Sequence, residues 1–523
     1  MVQGIHVTVV VEPLRTYLYG LPHNGKLTEE LREETSYFPL GYKPNEEYKF
    51  GYFDGRVHLM AWDSNSNAWT LPTGLLSRVR DILAKNHAIL KLDVRIPTWT
   101  KDPRLAALQG ATPFKEGHEN RPHQNIATLA LVKPREGRLG GVIQAATGFG
   151  KTAVIARTTK IMQVPTLVFV TTADLMYQMQ NDLQEFLGIP IGIVGDGKCK
   201  PELVTVCIDD AFAAIFGIQT ENSKAKTRRV PKEGPAADKF RWMVHNEFKK
   251  IDVDEAHHVA ADTMYTAIQE CTSAIMINGY SASPWRDDGK DLLIEATCGP
   301  VVCKIPATDL IRGGYLVQPY ITVWQLPGPK VRTMAHLSKK LHEKYRAWIV
   351  DNEEYNSFVA ERAAHHIAKG RATLVLVKIV EHGKKLAAMI PNSEFVDGAV
   401  TPKRRKEYYA RIKRGELSCL IATSVADEGL DLPILAAVIL AGAGRSSTKA
   451  LQRIGRCLRL HEGKDGAFVE DFSVDDFMFL RQSRERRRIY HTEPAFVVTV
   501  IPITRAPDGK FRWQVPQPLV NVI

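Results

Sequence analysis

The run from Gly140 to Ala156 constrains the fold more than any other stretch of this chain. Gly140-Gly141-Val142-Ile143 reads as a buried strand, and Ala153-Val154-Ile155-Ala156 as the first turns of a helix. Between them, residues 144–152, Gln-Ala-Ala-Thr-Gly-Phe-Gly-Lys-Thr, read as a phosphate-binding loop. A strand that enters a helix through a glycine-rich turn leaves unpaired backbone N–H groups pointing at one spot, which makes an anion site. Thr147, Gly148 and Gly150 line this loop. Lys151 is placed to reach the β and γ phosphates of a nucleotide, and Thr152 to put its hydroxyl on a magnesium ion. The strict motif has Gly at position 145, where this chain has Ala.

The surrounding pattern alternates strand and helix. Buried-strand candidates lie at 140–144, 166–171, 203–208, 249–253 and 274–279, which predicts a parallel sheet with helices on both faces. Pro327 and Pro329 mark a linker, followed by a long helix over 335–365. The alternation then restarts, with strands at Leu374–Val377, Ser393–Val396, Cys419–Ala422, Ala437–Leu440 and Gly466–Glu470. Upstream, residues 1–105 read as a small α+β unit. It has strands within 5–20, a hairpin turned at Asp54-Gly55, a helix from Leu75 to Asn86 and a strand at Ile89–Val94. The tail predicts a hairpin of Val497–Pro502 and Phe511–Val515 turned at Asp508-Gly509. The expected domains are an accessory unit at 1–105, α/β units at 106–325 and 326–490, and a hairpin extension at 491–523.

A second signal turns phosphate binding into chemistry. In Ile251-Asp252-Val253-Asp254-Glu255-Ala256-His257-His258 a strand ends on two acids, at the sheet edge that carries the loop. Asp254 is suited to hold magnesium, and Glu255 to orient and deprotonate an attacking water. His257 is placed as a coupling residue that senses the γ-phosphate, whereas His258 packs or caps.

A formal net charge of +11 over 523 residues favours a polyanionic partner. The seven cysteines follow no metal-ligand spacing and fit a reducing cytosol. No long apolar span and no signal-like start are present, so a soluble cytoplasmic protein is expected. Two basic segments, 220–238 and Arg484-Glu485-Arg486-Arg487-Arg488, read equally well as nucleic-acid contacts or as solvated surface.

Taken together, these motifs resemble those of superfamily 2 helicases and translocases. Lys151-Thr152 matches the first motif of that family, Asp254-Glu255-Ala256-His257 the second, and Ser281-Ala282-Ser283 the third. Pro284-Trp285-Arg286-Asp287-Asp288-Gly289 is similar to an element of XPB-like and restriction-type translocases. The resemblance implies two tandem RecA-like parallel-sheet domains behind the α+β accessory domain, with ATP and Mg2+ as ligands. It implies adenine contact by Gln124 of Arg121-Pro122-His123-Gln124, and coupling through Ser281 and Ser283. DNA contact falls to Thr171, Thr172, Arg286 and Thr423. Residues 421–431 resemble the fifth motif, with Gly429 and Asp431 at the nucleotide, and Gln452-Arg453-Ile454-Gly455-Arg456-Cys457-Leu458-Arg459 the sixth. Carry-over makes Arg459 an arginine finger, Arg456 a second γ-phosphate contact and Gln452 a bridge to the nucleotide or its water. Cys207-Ile208-Asp209-Asp210 departs from the family's DNA-contact motif.

Tyr48-Lys49-Phe50-Gly51-Tyr52-Phe53-Asp54-Gly55-Arg56 resembles the accessory domain of phage UvsW-type helicases. There Lys49, Phe50, Tyr52 and Arg56 would stack bases and meet phosphates at a junction. The implied protein is an ATP-dependent motor on forked or branched DNA, read through its backbone. It is expected to be monomeric when free and to work beside replication or recombination proteins. An RNA helicase, a restriction-type motor and a noncatalytic DNA-binding protein are the alternatives.

Overall fold

The computed structural model describes residues 5–38, 54–109, 121–219, 230–260, 262–282, 290–329, 333–338, 340–423, 432–442, 454, 455, 457–507 and 511–513. The chain forms two compact units, Met1–Ala145 with Gly150–Ile305, and Ala146–Phe149 with Pro306–Ile523.

The first unit opens with β1 (His6–Val11), β2 (Arg15–Tyr19), β3 (Ser36–Tyr37), β4 (Val57–His58), β5 (Ala61–Asp63), β6 (Ala68–Pro72) and β7 (Ile89–Val94). Five of these make a sheet in the order β5-β6-β2-β1-β7, in which β1 and β7 are parallel. Alternation along β1 turns Val7, Val9 and Val11 into a core with Leu27 and Leu31 of helix Lys26–Glu34. Helix Leu76–Lys85 adds Leu76, Val79, Ile82 and Leu83, the apolar stripe that its sequence announces. The strand β4 pairs with β3, whereas the strand expected just before Asp54-Gly55 lies outside the described residues.

This small sheet is built onto the larger one. Leu292 and Ala296 of helix Asp291–Cys298 belong to its core, and Arg78 donates to Glu295 at 2.7 Å. Gly74 sits so close to that helix that a Cβ would fall 2.0 Å from the Glu295 carbonyl oxygen, so no other residue fits there.

The larger sheet of the first unit has eight strands. They are β8 (Leu139–Ala145), β9 (Thr166–Val170), β10 (Gly192–Gly195), β11 (Lys198–Lys200), β12 (Val204–Ile208), β13 (Lys250–Asp254), β14 (Met276–Ser281) and β15 (Val301–Ile305). Their order is β11-β10-β12-β9-β13-β14-β8-β15, parallel except for the β10–β11 hairpin. All five expected strands are present; β10, β11 and β15 are additional. Of the basic segment at 220–238, residues 220–229 lie outside the described residues and Pro235 starts the helix Pro235–Asn246.

The second unit carries a seven-stranded parallel sheet, ordered β18-β19-β17-β20-β21-β16-β22. Its strands are β16 (Pro319–Leu326), β17 (Ala372–Leu376), β18 (Ser393–Val396), β19 (Cys419–Ala422), β20 (Leu435–Leu440), β21 (Ala467–Val474) and β22 (Val497–Pro502). Two expectations are corrected here. The helix at 335–365 is broken into Met334–Leu337, Leu341–Tyr345, a π-helical turn at Arg346–Val350, and Glu353–Ala368. The break is chemical: the Asn352 side chain accepts from the Tyr355 N–H at 3.1 Å and caps a new helix. The tail is not the expected hairpin. Val497–Pro502 pairs in parallel with β16 at the sheet edge, and the short hairpin is β23 (Thr504–Arg505) with β24 (Phe511–Arg512). Asp508 and Gly509 lie outside the described residues. Among the described residues no helix is long and apolar enough to cross a membrane, and the seven cysteines are free thiols.

One of the arginines in 484–488 is a core residue. Arg486, on helix Phe477–Tyr490, is 4% exposed and makes a two-pronged pair with Asp471, Nε to Oδ2 at 2.9 Å and Nη2 to Oδ1 at 2.8 Å. The Tyr490 hydroxyl donates to the same carboxylate at 2.8 Å. Arg486→Ala strands a buried carboxylate and is expected to cost about 3–5 kcal/mol. That lowers the melting temperature of the second unit by roughly 6–20 °C, measured by calorimetry. Arg488→Ala, at an exposed position of the same helix, changes stability by no more than about 0.5 kcal/mol.

Candidate active site

The first unit gathers its candidate catalytic groups at the carboxyl ends of β8, β13 and β14. The phosphate loop leaves the end of β8, and helix Lys151–Met162 begins at Lys151. Gly150, the residue before it, has φ 91°. A Cβ there would lie 2.4 Å from Gln124 Nε2, so the loop closes against that side chain only because the position is glycine. Gln124 itself is 4% exposed on helix Pro122–Val132, which Arg121 precedes and Pro122 starts.

Asp254 ends β13 and Glu255 turns away from it at φ 50°, a left-handed conformation that costs a non-glycine residue about 1–3 kcal/mol and is concentrated at functional sites. The turn brings both carboxylates to Lys151. Its Nζ is 2.5 Å from Asp254 Oδ1 and 2.7 Å from Glu255 Oε1. Burial works against the Lys151 ammonium, but the two carboxylates outweigh it and hold its pKa above the usual lysine range. Burial also opposes the Glu255 carboxylate. Lys151, with His257 beside it, prevails and keeps Glu255 ionised well below the usual range.

His257 links this acid to the next strand. Its Nδ1 is 3.4 Å from Glu255 Oε2 and 3.3 Å from the Oγ of Ser281, which is fully buried at the end of β14. Residues from the first, second and third motif positions are thus connected by side chains: Lys151, Glu255, His257 and Ser281.

Sequence reasoning missed the layer beneath them. Lys250 and Asp252, both fully buried on β13, pair with each other. Lys250 Nζ also donates to Thr159 Oγ1 at 3.0 Å on the phosphate-loop helix, and Asp252 Oδ1 accepts from Asn278 at 2.8 Å and Tyr280 at 3.0 Å on β14. The network ties that helix to both strands that deliver the acids and Ser281. Its sequence signal was two charges in a strand otherwise fit for full burial.

Other candidates stand apart or are already engaged. Thr172 caps helix Ala173–Leu187, its side chain accepting from the Leu175 N–H at 3.3 Å, with Thr171 one residue before it, just past the end of β9. Arg56 Nη1 donates to Ser36 Oγ at 3.2 Å and its guanidinium lies 4.4 Å from the Phe38 ring centroid. Lys49, Phe50, Tyr52, Ser283, Arg286, Gly429, Asp431, Gln452 and Arg456 lie outside the described residues.

In the second unit, Thr423 follows β19 with its N–H on the Val396 carbonyl at 3.2 Å. Arg459 is held by an antiparallel bridge to Leu316, next to a bond from the Val317 N–H to the Leu458 carbonyl at 2.8 Å. Residues 146–149 of the phosphate loop group with this unit. A Cβ on Gly148 would lie 3.8 Å from Arg459 Cγ, and one on Gly455 would lie 2.5 Å from Thr147 Cβ.

Residues 117–286 match the family model for the type III restriction enzyme res subunit, and residues 357–461 that for the helicase conserved C-terminal domain. Helicase 22 of a Sulfolobus islandicus filamentous virus is 30% identical over 285 residues, 50% of this chain and 49% of that protein. The chain therefore spans about half the length of that relative. The DNA 3'-5' translocase XPB2 of Sulfurisphaera tokodaii is 26% identical over 71% of this chain and 86% of its own. The ATP-dependent DNA helicase uvsW of Enterobacteria phage T4 is 22% identical over 92% of this chain and 94% of its own.

Proposed function

The chain belongs to the superfamily 2 helicases, and on that premise we propose that it is an ATP-dependent DNA helicase or translocase acting on forked and branched DNA. The observation that carries the chemistry is the pairing of Lys151 with Asp254 and Glu255. An ammonium seated in an acid pair at a phosphate loop is displaced toward the nucleotide when phosphates enter, which frees Glu255 for water.

In this reading Lys151 neutralises the β and γ phosphates while backbone N–H groups of the loop hold them. Glu255 orients a water whose oxygen bonds to the γ-phosphorus as the β–γ bridging bond breaks, and the water's proton passes to the Glu255 carboxylate. His257 reports the state of Glu255 to Ser281 through the contacts described. Thr152 and Asp254 are the residues that would hold Mg2+. The fit is supported by Asp254 already accepting a cation at 2.5 Å, and the ion would supply further neutralisation of phosphate charge. Arg459 acts as the arginine finger, with Arg456 and Gln452 beside it and Gly429 and Asp431 at the nucleotide. Gln124 reads adenine. Thr171, Thr172, Arg286 and Thr423 contact the DNA backbone, which gives grip without sequence preference.

Branched DNA is favoured over a linear track because the accessory sheet is fixed to helix Asp291–Cys298 of the motor, as a wedge must be. The test is ATP-dependent remodelling of three-way and four-way junctions beside linear duplex and RNA duplex. Junctions are expected to be processed at least about tenfold faster, a difference of roughly 1.4 kcal/mol in barrier. Equal rates on all substrates would remove the branched-DNA assignment, and preference for RNA would remove the DNA assignment.

A further inference from the structure

Lys464 follows the sixth motif in a segment, Glu462-Gly463-Lys464-Asp465, whose sequence reads as an ordinary solvated turn. The side chain does not point into water. Its Nζ donates to the carbonyl of Arg459 at 3.0 Å and to that of Pro433 at 3.2 Å. Pro433 lies two residues beyond Asp431, so one ammonium joins the chain leaving the fifth motif to the last residue of the sixth. Both carbonyls and the lysine belong to the second unit.

We propose that Lys464 is a positioning residue for ATP hydrolysis, clamping the Arg459 backbone to Pro433 so that the arginine presents at a fixed place. The proposal rests on the reading of Arg459 as the arginine finger. The logic is geometric. The Leu316 bridge and the bond from Val317 secure one side of residues 458–459, and Lys464 is the side-chain tie on the carbonyl of residue 459 itself. A guanidinium that must meet charge developing on a phosphate loses its value when its backbone drifts.

The environment makes this tie sensitive to pH. Burial pushes the Lys464 ammonium down to about 8, with Cys457 and Arg459 as the titratable and charged groups facing it. After burial, Cys457 raises the value and Arg459 lowers it. The Cys457 thiol is itself pushed up by burial to about 12 and stays protonated through neutral pH. As pH rises through about 8, Lys464 loses its charge and its bonds to both carbonyls weaken, because a charged donor makes roughly twice as strong a bond.

The experiment measures DNA-stimulated ATP hydrolysis by the full chain from about pH 6.5 to 9.5, for wild type, Lys464→Arg and Lys464→Met. Lys464→Met is expected to lower kcat by about 10- to 100-fold with KM for ATP within about threefold, as for a misplaced catalytic group. Lys464→Arg keeps its charge throughout, so it is expected to restore most of kcat and to lack the decline above pH 8 that wild type shows. Coincident pH profiles for wild type and Lys464→Arg overturn the proposal, as does a Lys464→Met turnover within twofold of wild type. Should Lys464→Met fail to fold, the two profiles decide alone. Absence of any ATP hydrolysis by wild type, with Glu255→Gln as the background control, overturns the functional reading and this role with it.

Discussion

Glu255→Gln is expected to lower DNA-stimulated ATP turnover by at least about 10³-fold while leaving nucleotide and DNA binding nearly intact, as for loss of a general base. The amide keeps the size of the carboxylate and its position at φ 50°, so the turn after β13 is preserved. It cannot take a proton from water. It also weakens the hold on Lys151, whose Nζ lies 2.7 Å from Glu255 Oε1, leaving Asp254 at 2.5 Å as the remaining anchor. Lys151→Ala acts differently, because it removes the cation that meets the phosphates. ATP affinity and turnover both fall, and Asp254 and Glu255 are left facing each other without a counter-charge. Combining the two changes is expected to cost little more than the worse single change, since groups that act as one unit are not additive. Steady-state hydrolysis on forked DNA and equilibrium binding of a fluorescent nucleotide measure the two effects separately. A Glu255→Gln protein that hydrolyses ATP within tenfold of wild type would sink the assignment of Glu255 as the base.

How far the sequence spoke for the structure follows from what each feature depends on. The strands β8, β9, β12, β13 and β14 are buried on both faces, so most of them read as short, largely apolar runs and are visible locally, β13 through Ile251 and Val253 between its charges. The phosphate loop and the two acids are visible for the same reason: they sit where such runs stop. The edge strand Val497–Pro502 was misassigned because its partner, Pro319–Leu326, is far away in sequence and no local signal names it. The break before Glu353 was hidden because apolar residues continue across it, from Trp348 and Ile349 to Tyr355 and Phe358. A single capping Asn352 outweighs that periodicity. Side-chain destinations were the least legible. Arg486 and Arg488 look alike in a basic run, yet one pairs with buried Asp471 and the other faces water. Lys464 and Lys250 became meaningful only when their carbonyl and hydroxyl partners could be seen.

Arg459→Ala is expected to reduce turnover by about 10³-fold or more, the range reported by loss of an arginine finger, with KM for ATP changed by less than about fivefold. The sequence allows a rival in which Arg453, Arg456 and Arg459 form a solvated stripe at helical spacing. The structure places Arg459 instead on an extended segment bridged to Leu316, with its Cγ close to where a Gly148 side chain would begin. As the proposed arginine finger, this guanidinium would meet negative charge on a phosphoryl group as it develops. Because that charge is greater in the transition state than in bound ATP, its loss falls on kcat rather than on KM. Arg459→Lys is not expected to rescue, since a point charge on a flexible stem does not reproduce the planar fork. Strand separation should fall in step with hydrolysis if closure on ATP drives movement. A protein that keeps hydrolysing ATP at near wild-type rate without Arg459, but no longer moves DNA, would instead assign this arginine to the DNA track.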